Sequence, residues 1–207
     1  MSTTIRELEP KEVWNRFADI NAVPRPSKKE QKITAFMVDF GKKLGLETTS
    51  DAYGNVIIRK PATAGLEHKK PIILQSHLDM VCQKNNDTVF DFDNQGIETY
   101  IDGDWVRAKG TTLGADNGMG VAAIMVILES KTIAHPALEA LFTTDEETGM
   151  TGAQKLSNDA LKGEILLNLD TELDTEIEIG CAGGIDVSAY ADYKEEATPS
   201  DVVAYHI

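Results

Sequence analysis

The sequence predicts an α/β fold with a mixed, largely parallel central sheet flanked by helices. Three observations lead there. The continuously apolar run at residues 71–74 has the character of a strand buried on both faces, and residues 138–143 and 165–169 read as further buried strands. Helix-period segments alternate with them. A histidine or an acid stands where each run stops, at the carboxyl end of a strand, where open α/β sheets bind ligands.

Each element has its own signal. Residues 10–21 read as a helix with Val13, Trp14, Phe17 and Ile20 on one face. Pro24 and Pro26 break the chain. Ser27-Lys28-Lys29-Glu30 then matches a capping box, in which the serine and glutamate side chains satisfy free amides at a helix start. Ile33, Phe36, Met37, Phe40 and Leu44 recur at helical spacing, and Gly45 suits a C-cap. Tyr53-Gly54-Asn55 is a turn leading into a strand at Val56-Ile57-Ile58. Residues 99–107 read as a hairpin around Asp102-Gly103-Asp104. Residues 118–130 form an almost wholly apolar, hence buried, helix. Glu176-Ile177-Glu178-Ile179 alternates like a half-exposed strand. Val187, Ala189 and Ala191, then Val202, Val203 and Tyr205, start further strand-like runs. The last of these stops at Ile207, as though the fold were truncated.

The chain has 207 residues and a net charge of −14. That balance disfavours nucleic acid and anionic membrane surfaces as partners. Two cysteines, Cys82 and Cys181, are too few for a disulfide framework, and both read as buried free thiols. Residues 1–10 lack the apolar core of a secretory signal, and no apolar run reaches the ~18 residues of a membrane span. The expected compartment is the cytoplasm.

The chemistry lies in four phrases: Ser76-His77-Leu78-Asp79-Met80, Thr112-Leu113-Gly114-Ala115-Asp116-Asn117-Gly118, Asp145-Glu146-Glu147-Thr148-Gly149 and Asn168-Leu169-Asp170-Thr171-Glu172. Imidazole and carboxylates are the ligands expected for zinc, and for manganese or cobalt as substitutes. Three of the phrases also have a plainer reading. His77 could be a core histidine, Asp116 a helix N-cap, and Glu146-Glu147 a solvated turn. Asp79, two residues beyond His77 in an extended chain, points to the same side and could fix the imidazole tautomer. Adjacent buried carboxylates repel and need a cation, and one of the pair could stay free as a general base. A phosphate loop is excluded, because residues 110–120 hold no Gly-Lys-Ser/Thr.

These four phrases resemble the M20 metallopeptidases, and within them the aminoacyl-histidine dipeptidases, over essentially the whole chain. The resemblance implies the zinc-exopeptidase fold, with a phosphorylase/hydrolase-like catalytic domain. It implies two zinc ions bridged by Asp116. His77 and Asp170 complete one site and Glu147 the other. Asp79 orients His77, and Glu146 is the general base that takes a proton from the attacking water. It further implies a cis peptide at Asp116–Asn117, a small peptide substrate, and a homodimer formed through a lid domain. Family members are longer. The lid follows the segment ending near Ile207, and later sequence carries the final ligand histidine and the residues that grip the substrate carboxylate. Residues 1–207 therefore read as the N-terminal part of the catalytic domain. The expectation is one nearly complete metal site and one open one, weak or absent activity, and exposed apolar surface. No motif places His68, His135 or His206 at the site, and His206 reads as a strand residue.

Two rival readings remain. Another M20 activity (tripeptidase, deacylase or carboxypeptidase) would share the same ligands. A non-catalytic calcium-binding module is suggested by Asp91-Phe92-Asp93-Asn94-Gln95-Gly96, with Asp102 at position twelve of an EF-hand-like loop.

Overall fold

A wholly apolar strand is stable only when both its faces are covered, and the two most apolar runs do lie inside a sheet. The computed structural model describes residues 4–171, 173, 175–180, 183–185, 187–195 and 197–203. Helices α1 (Lys11–Asn21) and α2 (Gln31–Lys43) come first. They precede strands β1 (Glu47–Ser50), β2 (Val56–Lys60) and β3 (Ile72–His77). A hairpin of β4 (Thr99–Asp102) and β5 (Trp105–Ala108) leads to α3 (Ala115–Glu129), β6 (Leu138–Thr143), the short α4 (Thr151–Lys155) and β7 (Ile165–Asn168).

The main sheet has five strands in the order β1-β2-β6-β3-β7, and β4-β5 stands apart. β3 pairs in parallel with both β6 and β7, while β2 runs against β1 and β6. Only β2 opposes the common direction, so the sheet is mixed and largely parallel. Register then places the site. His77 pairs with Thr143, and Gln75 with Asn168. The residues just beyond these, Glu146, Glu147 and Asp170, therefore emerge beside His77.

Strand alternation sorts the core. Val56, Ile58, Leu74, Ala140 and Phe142 face the helical side and pack with Phe17, Ile20, Ile33, Met37, Ile124 and Met125. Ile57, Ile73 and Leu141 face the other side, against Leu156, Ala160 and Leu161. Burial of each large apolar side chain contributes about 1.5–3 kcal/mol. Helix α3 is buried along most of its length, as its composition predicts.

Several local expectations are corrected. The capping box does not form. Helix α2 begins at Gln31 with Glu30 as N-cap and no side-chain cap. Ser27 Oγ instead donates to Asp79 and Glu30 accepts the Asp145 amide, partners that no local pattern reveals. Strand β7 lies at the sheet edge and is not buried, with Leu166 52% exposed. That accords with the expected apolar exposure.

A second compact unit spans Leu173–Ile207. Its described residues form no strand, so the readings at 176–179, 187–191 and 202–203 are not realised. Ile177, Ile179, Val187 and Val203 lie exposed, with no ladder to pair their backbone. Glu172, Cys181, Tyr205 and His206 fall outside the described residues. Cys82 is half-buried and free. Among the described residues no helix is long and apolar enough to cross a membrane.

Candidate metal centre

His77 closes β3 fully buried, with its ring edge turned toward acids from three other segments. Nε2 lies 3.0 Å from Asp116 Oδ1, 3.6 Å from Asp170 Oδ1 and 3.9 Å from Glu146 Oε2. Nδ1 lies 3.1 Å from the Asp79 carbonyl and 3.3 Å from Asp79 Oδ1. Burial opposes charging the ring, but Asp170 and Asp79 outweigh it and push His77 up to about 11.

Asp79 is fully buried behind the histidine. Its Oδ1 accepts the Glu146 amide at 3.0 Å. Its Oδ2 accepts the Glu147 amide at 3.2 Å and the Ser27 hydroxyl at 2.8 Å. Burial would raise this carboxyl, yet these bonds and His77 hold it down to about 2. Asp79 thus orients the imidazole and fixes the backbone of the Glu146-Glu147 turn at the same time.

Asp116 is not a helix N-cap. Gly114 occupies that position with φ 72°, and Asp116 is extended, with φ −82° and ψ 116°. Its carboxylate is free to meet His77, and the peptide to Asn117 is cis, as the resemblance implies. Asn117 Nδ2 donates to the Leu169 carbonyl at 3.0 Å and to Asp170 Oδ1 at 2.5 Å, which ties the α3 start to the end of β7. Contact with His77 keeps Asp170 below the ordinary carboxylate range. Asp116 is shifted upward by burial and by Asp170, Glu146 by burial and Asp170, and Glu147 by burial and Asp116.

Charge balance is the test of whether a cation belongs here. Ligand atoms of His77, Glu146 and Asp170 lie within 4.8 Å of one another, as do those of His77, Asp116 and Glu147. Among the described residues no lysine or arginine forms a salt bridge with these acids. Imidazole nitrogen and carboxylate oxygen suit zinc, manganese or cobalt, and a divalent ion would relieve the mutual repulsion. The residues present fit such an ion.

Sequence reasoning missed the support beneath the site. Arg25, only 2% exposed, donates Nη1 to the carbonyls of Leu78 and Asp79, and Nη2 to that of Gly114. Glu30 Oε1 accepts the Asp145 amide at 2.9 Å, and Asp145 in turn accepts the hydroxyls of Thr148 and Thr151. The one available signal for Arg25 was its place between two prolines.

The two other described histidines stay away. His68 is exposed, and His135 precedes β6 at the opposite end of the sheet, its Nδ1 2.7 Å from the Pro136 carbonyl. The calcium-loop reading fails on geometry. No helix flanks Asp91–Gly96, and Asp91 accepts the Asp93 amide and the Asn94 side chain. Asp93 pairs with Lys29 at 2.7 Å.

Comparison with known proteins gives the family and the fold. The model of Peptidase family M28 matches residues 55–199, more than two thirds of the chain. M28 and the M20 family suggested by the motifs belong to one zinc-peptidase clan. The chain is 47% identical over 196 residues to the Escherichia coli (strain K12) cytosol non-specific dipeptidase, covering 95% of this chain and 40% of that protein. The crystal structure of aminoacylhistidine dipeptidase from Vibrio alginolyticus superposes with a TM-score of 0.80 at 50% identity, covering 82% of this chain and 35% of that one. Aminopeptidase PepT from Bacillus cereus gives 0.65 at 26% identity, covering 79% and 44%. The chain thus spans well under half the length of these relatives. It belongs to Peptidase family M28, as a partial-length homologue of the aminoacylhistidine and cytosol non-specific dipeptidases.

Proposed function

We propose that this chain carries the metal centre of a dipeptide hydrolase, with two zinc ions in the complete enzyme. One observation carries the reading: His77 Nε2 stands within 3.9 Å of carboxylate oxygens from Asp116, Glu146 and Asp170, at the carboxyl ends of parallel strands. His77, Asp116, Glu147 and Asp170 would hold the ions. Bound, they would polarise the peptide carbonyl and acidify the attacking water. Glu146 takes the water's proton and delivers it to the leaving amine. Its upward shift by burial suits a group that must both accept and release a proton. Asp79 keeps Nε2 of His77 directed at the acids.

The relatives' names favour small dipeptides, Xaa-His among them, as substrates, and the cytosol as compartment. Residues 1–207 form the N-terminal part of the catalytic domain. The final ligand histidine, the groups that grip the substrate carboxylate and the dimerising lid lie in further sequence. This chain alone is therefore weakly active or inactive.

Elemental analysis of the purified chain beside His77→Ala tests the metal reading. About one zinc per chain, lost in the variant, supports it, since a ligand-dependent site must fail without its ligand. No zinc in either protein after zinc is supplied removes it. Hydrolysis of β-alanyl-histidine against an acetylated amino acid by the full-length gene product tests the substrate class. Preference for the acetylated compound would move the activity to the deacylases.

A further inference from the structure

The ligands of the proposed centre come from separate segments, and one buried side chain joins two of them. We propose that Arg25 is a positioning residue of this centre, locking the His77–Asp79 strand end to the Gly114 turn that carries Asp116. The proposal rests on the metal reading above and deepens it.

The guanidinium places Nη1 3.2 Å from the Leu78 carbonyl and 3.1 Å from that of Asp79, and Nη2 2.5 Å from that of Gly114. The Asp79 carbonyl is the same oxygen that lies 3.1 Å from His77 Nδ1. Arg25 therefore reaches the imidazole through a single atom and the bridging aspartate through a single turn. Its own backbone is stitched to the site as well, with the Met80 amide donating to the Arg25 carbonyl at 3.1 Å. Among the described residues it forms no salt bridge, so Asp116 and Glu147 feel its charge only at longer range and stay open to a cation. Desolvation lowers its pKa only to about 10, so the charge persists at neutral pH.

The glycines of the Asp116 loop now acquire a role. A Cβ on Gly114 would collide with Arg25 Nη2 and stand 2.8 Å from Met80 Sδ, and one on Gly118 would stand 2.8 Å from the same nitrogen. Gly114 also has φ 72°. The loop is stripped of side chains where the guanidinium enters. A buried charge is costly to desolvate. Here Nη1 and Nη2 go to carbonyls of the two arms that must stay in register, while Nε is buried with no partner among the described residues.

The test measures zinc affinity by competition with a chromophoric chelator, and the visible spectrum of the cobalt-loaded chain. It compares wild type, Arg25→Lys, Gly114→Ala and Arg59→Lys. Folding is checked by far-UV circular dichroism. Lysine keeps the charge but cannot span both arms, so Arg25→Lys should weaken zinc about 10-fold or more and shift the cobalt bands. Gly114→Ala crowds Nη2 with Arg25 intact and should give the same signature, which preserves the test if Arg25→Lys does not fold. Arg59→Lys, at the far end of the sheet, should lower the melting temperature and leave both readouts unchanged. Wild-type affinity and cobalt spectra in Arg25→Lys and Gly114→Ala would overturn the proposal and leave the metal reading standing. Absence of zinc in the wild type would overturn both.

Discussion

The two ends of strand β6 handle acid in opposite ways. At the amino end Glu139, 5% exposed, is neutralised by the chain itself. Arg59 Nε donates to it at 2.9 Å, and the amides of Lys162 and Gly163 at 2.6 and 2.7 Å. Arg59 turns a second donor to Glu47. At the carboxyl end Asp116, Glu146, Glu147 and Asp170 gather around a single imidazole with no arginine or lysine paired to them among the described residues. The one arginine nearby, Arg25, is committed to carbonyls. The same strand thus ends in a closed ion pair on one side and in an excess of negative charge on the other. A buried acid with its own cation is scaffold; a cluster of acids without one, set around a buried histidine and open to solvent at Asp116 and Asp170, is a place for an exogenous cation.

That contrast can be broken by experiment. Its largest expected effect is on stability. Glu139→Ala strands Arg59 Nε and two part-buried amides, and should destabilise the fold by about 3 kcal/mol while leaving zinc affinity unchanged. Urea unfolding and chelator competition on the same samples measure both. If zinc affinity falls with stability, the two ends are not independent.

Next in size is the pH dependence of zinc uptake. His77 rises to about 11 without metal, so at neutral pH the folded, metal-free ring carries a proton that binding must displace. Apparent affinity should therefore rise with pH, roughly tenfold per unit for each proton released, about 1.4 kcal/mol. Calorimetry in buffers of different ionisation enthalpy counts the protons. A pH-independent affinity between 6 and 8 would mean that His77 is not a ligand.

The smallest effect belongs to Ser27. Ser27→Ala removes one of three donors to Asp79 and should cost about 1 kcal/mol in urea unfolding. Zinc affinity should weaken only slightly, because the two amides keep Asp79 in place. A large loss would promote Ser27 to the rank proposed for Arg25.

Much of this was legible beforehand. The apolar runs of β3 and β6, the heptad-like face of α1 and the apolar α3 are local patterns, and local patterns select elements. The site acids were legible because each follows such a run, and parallel register sends them to one edge. Less local features were not. The capping-box spacing at Ser27–Glu30 was read as a helix start, yet Ser27 finds Asp79 and Glu30 finds Asp145, partners 52 and 115 residues away. The acidic loop at Asp91–Gly96 matched a calcium motif, but its carboxylates are engaged locally and by Lys29. The apolar run of β7 suggested burial, whereas its position at the sheet edge exposes it.

By itself the sequence determined the elements, their order and the residue types gathered at the strand ends, because hydrophobic period and turn chemistry act over a few residues. Only the tertiary structure decided which end of β6 is self-neutralised, where Arg25 spends its donors and which glycines make room for it. Hydrogen-bond partners and buried charges are chosen between segments far apart in the chain, and no short-range pattern encodes that choice.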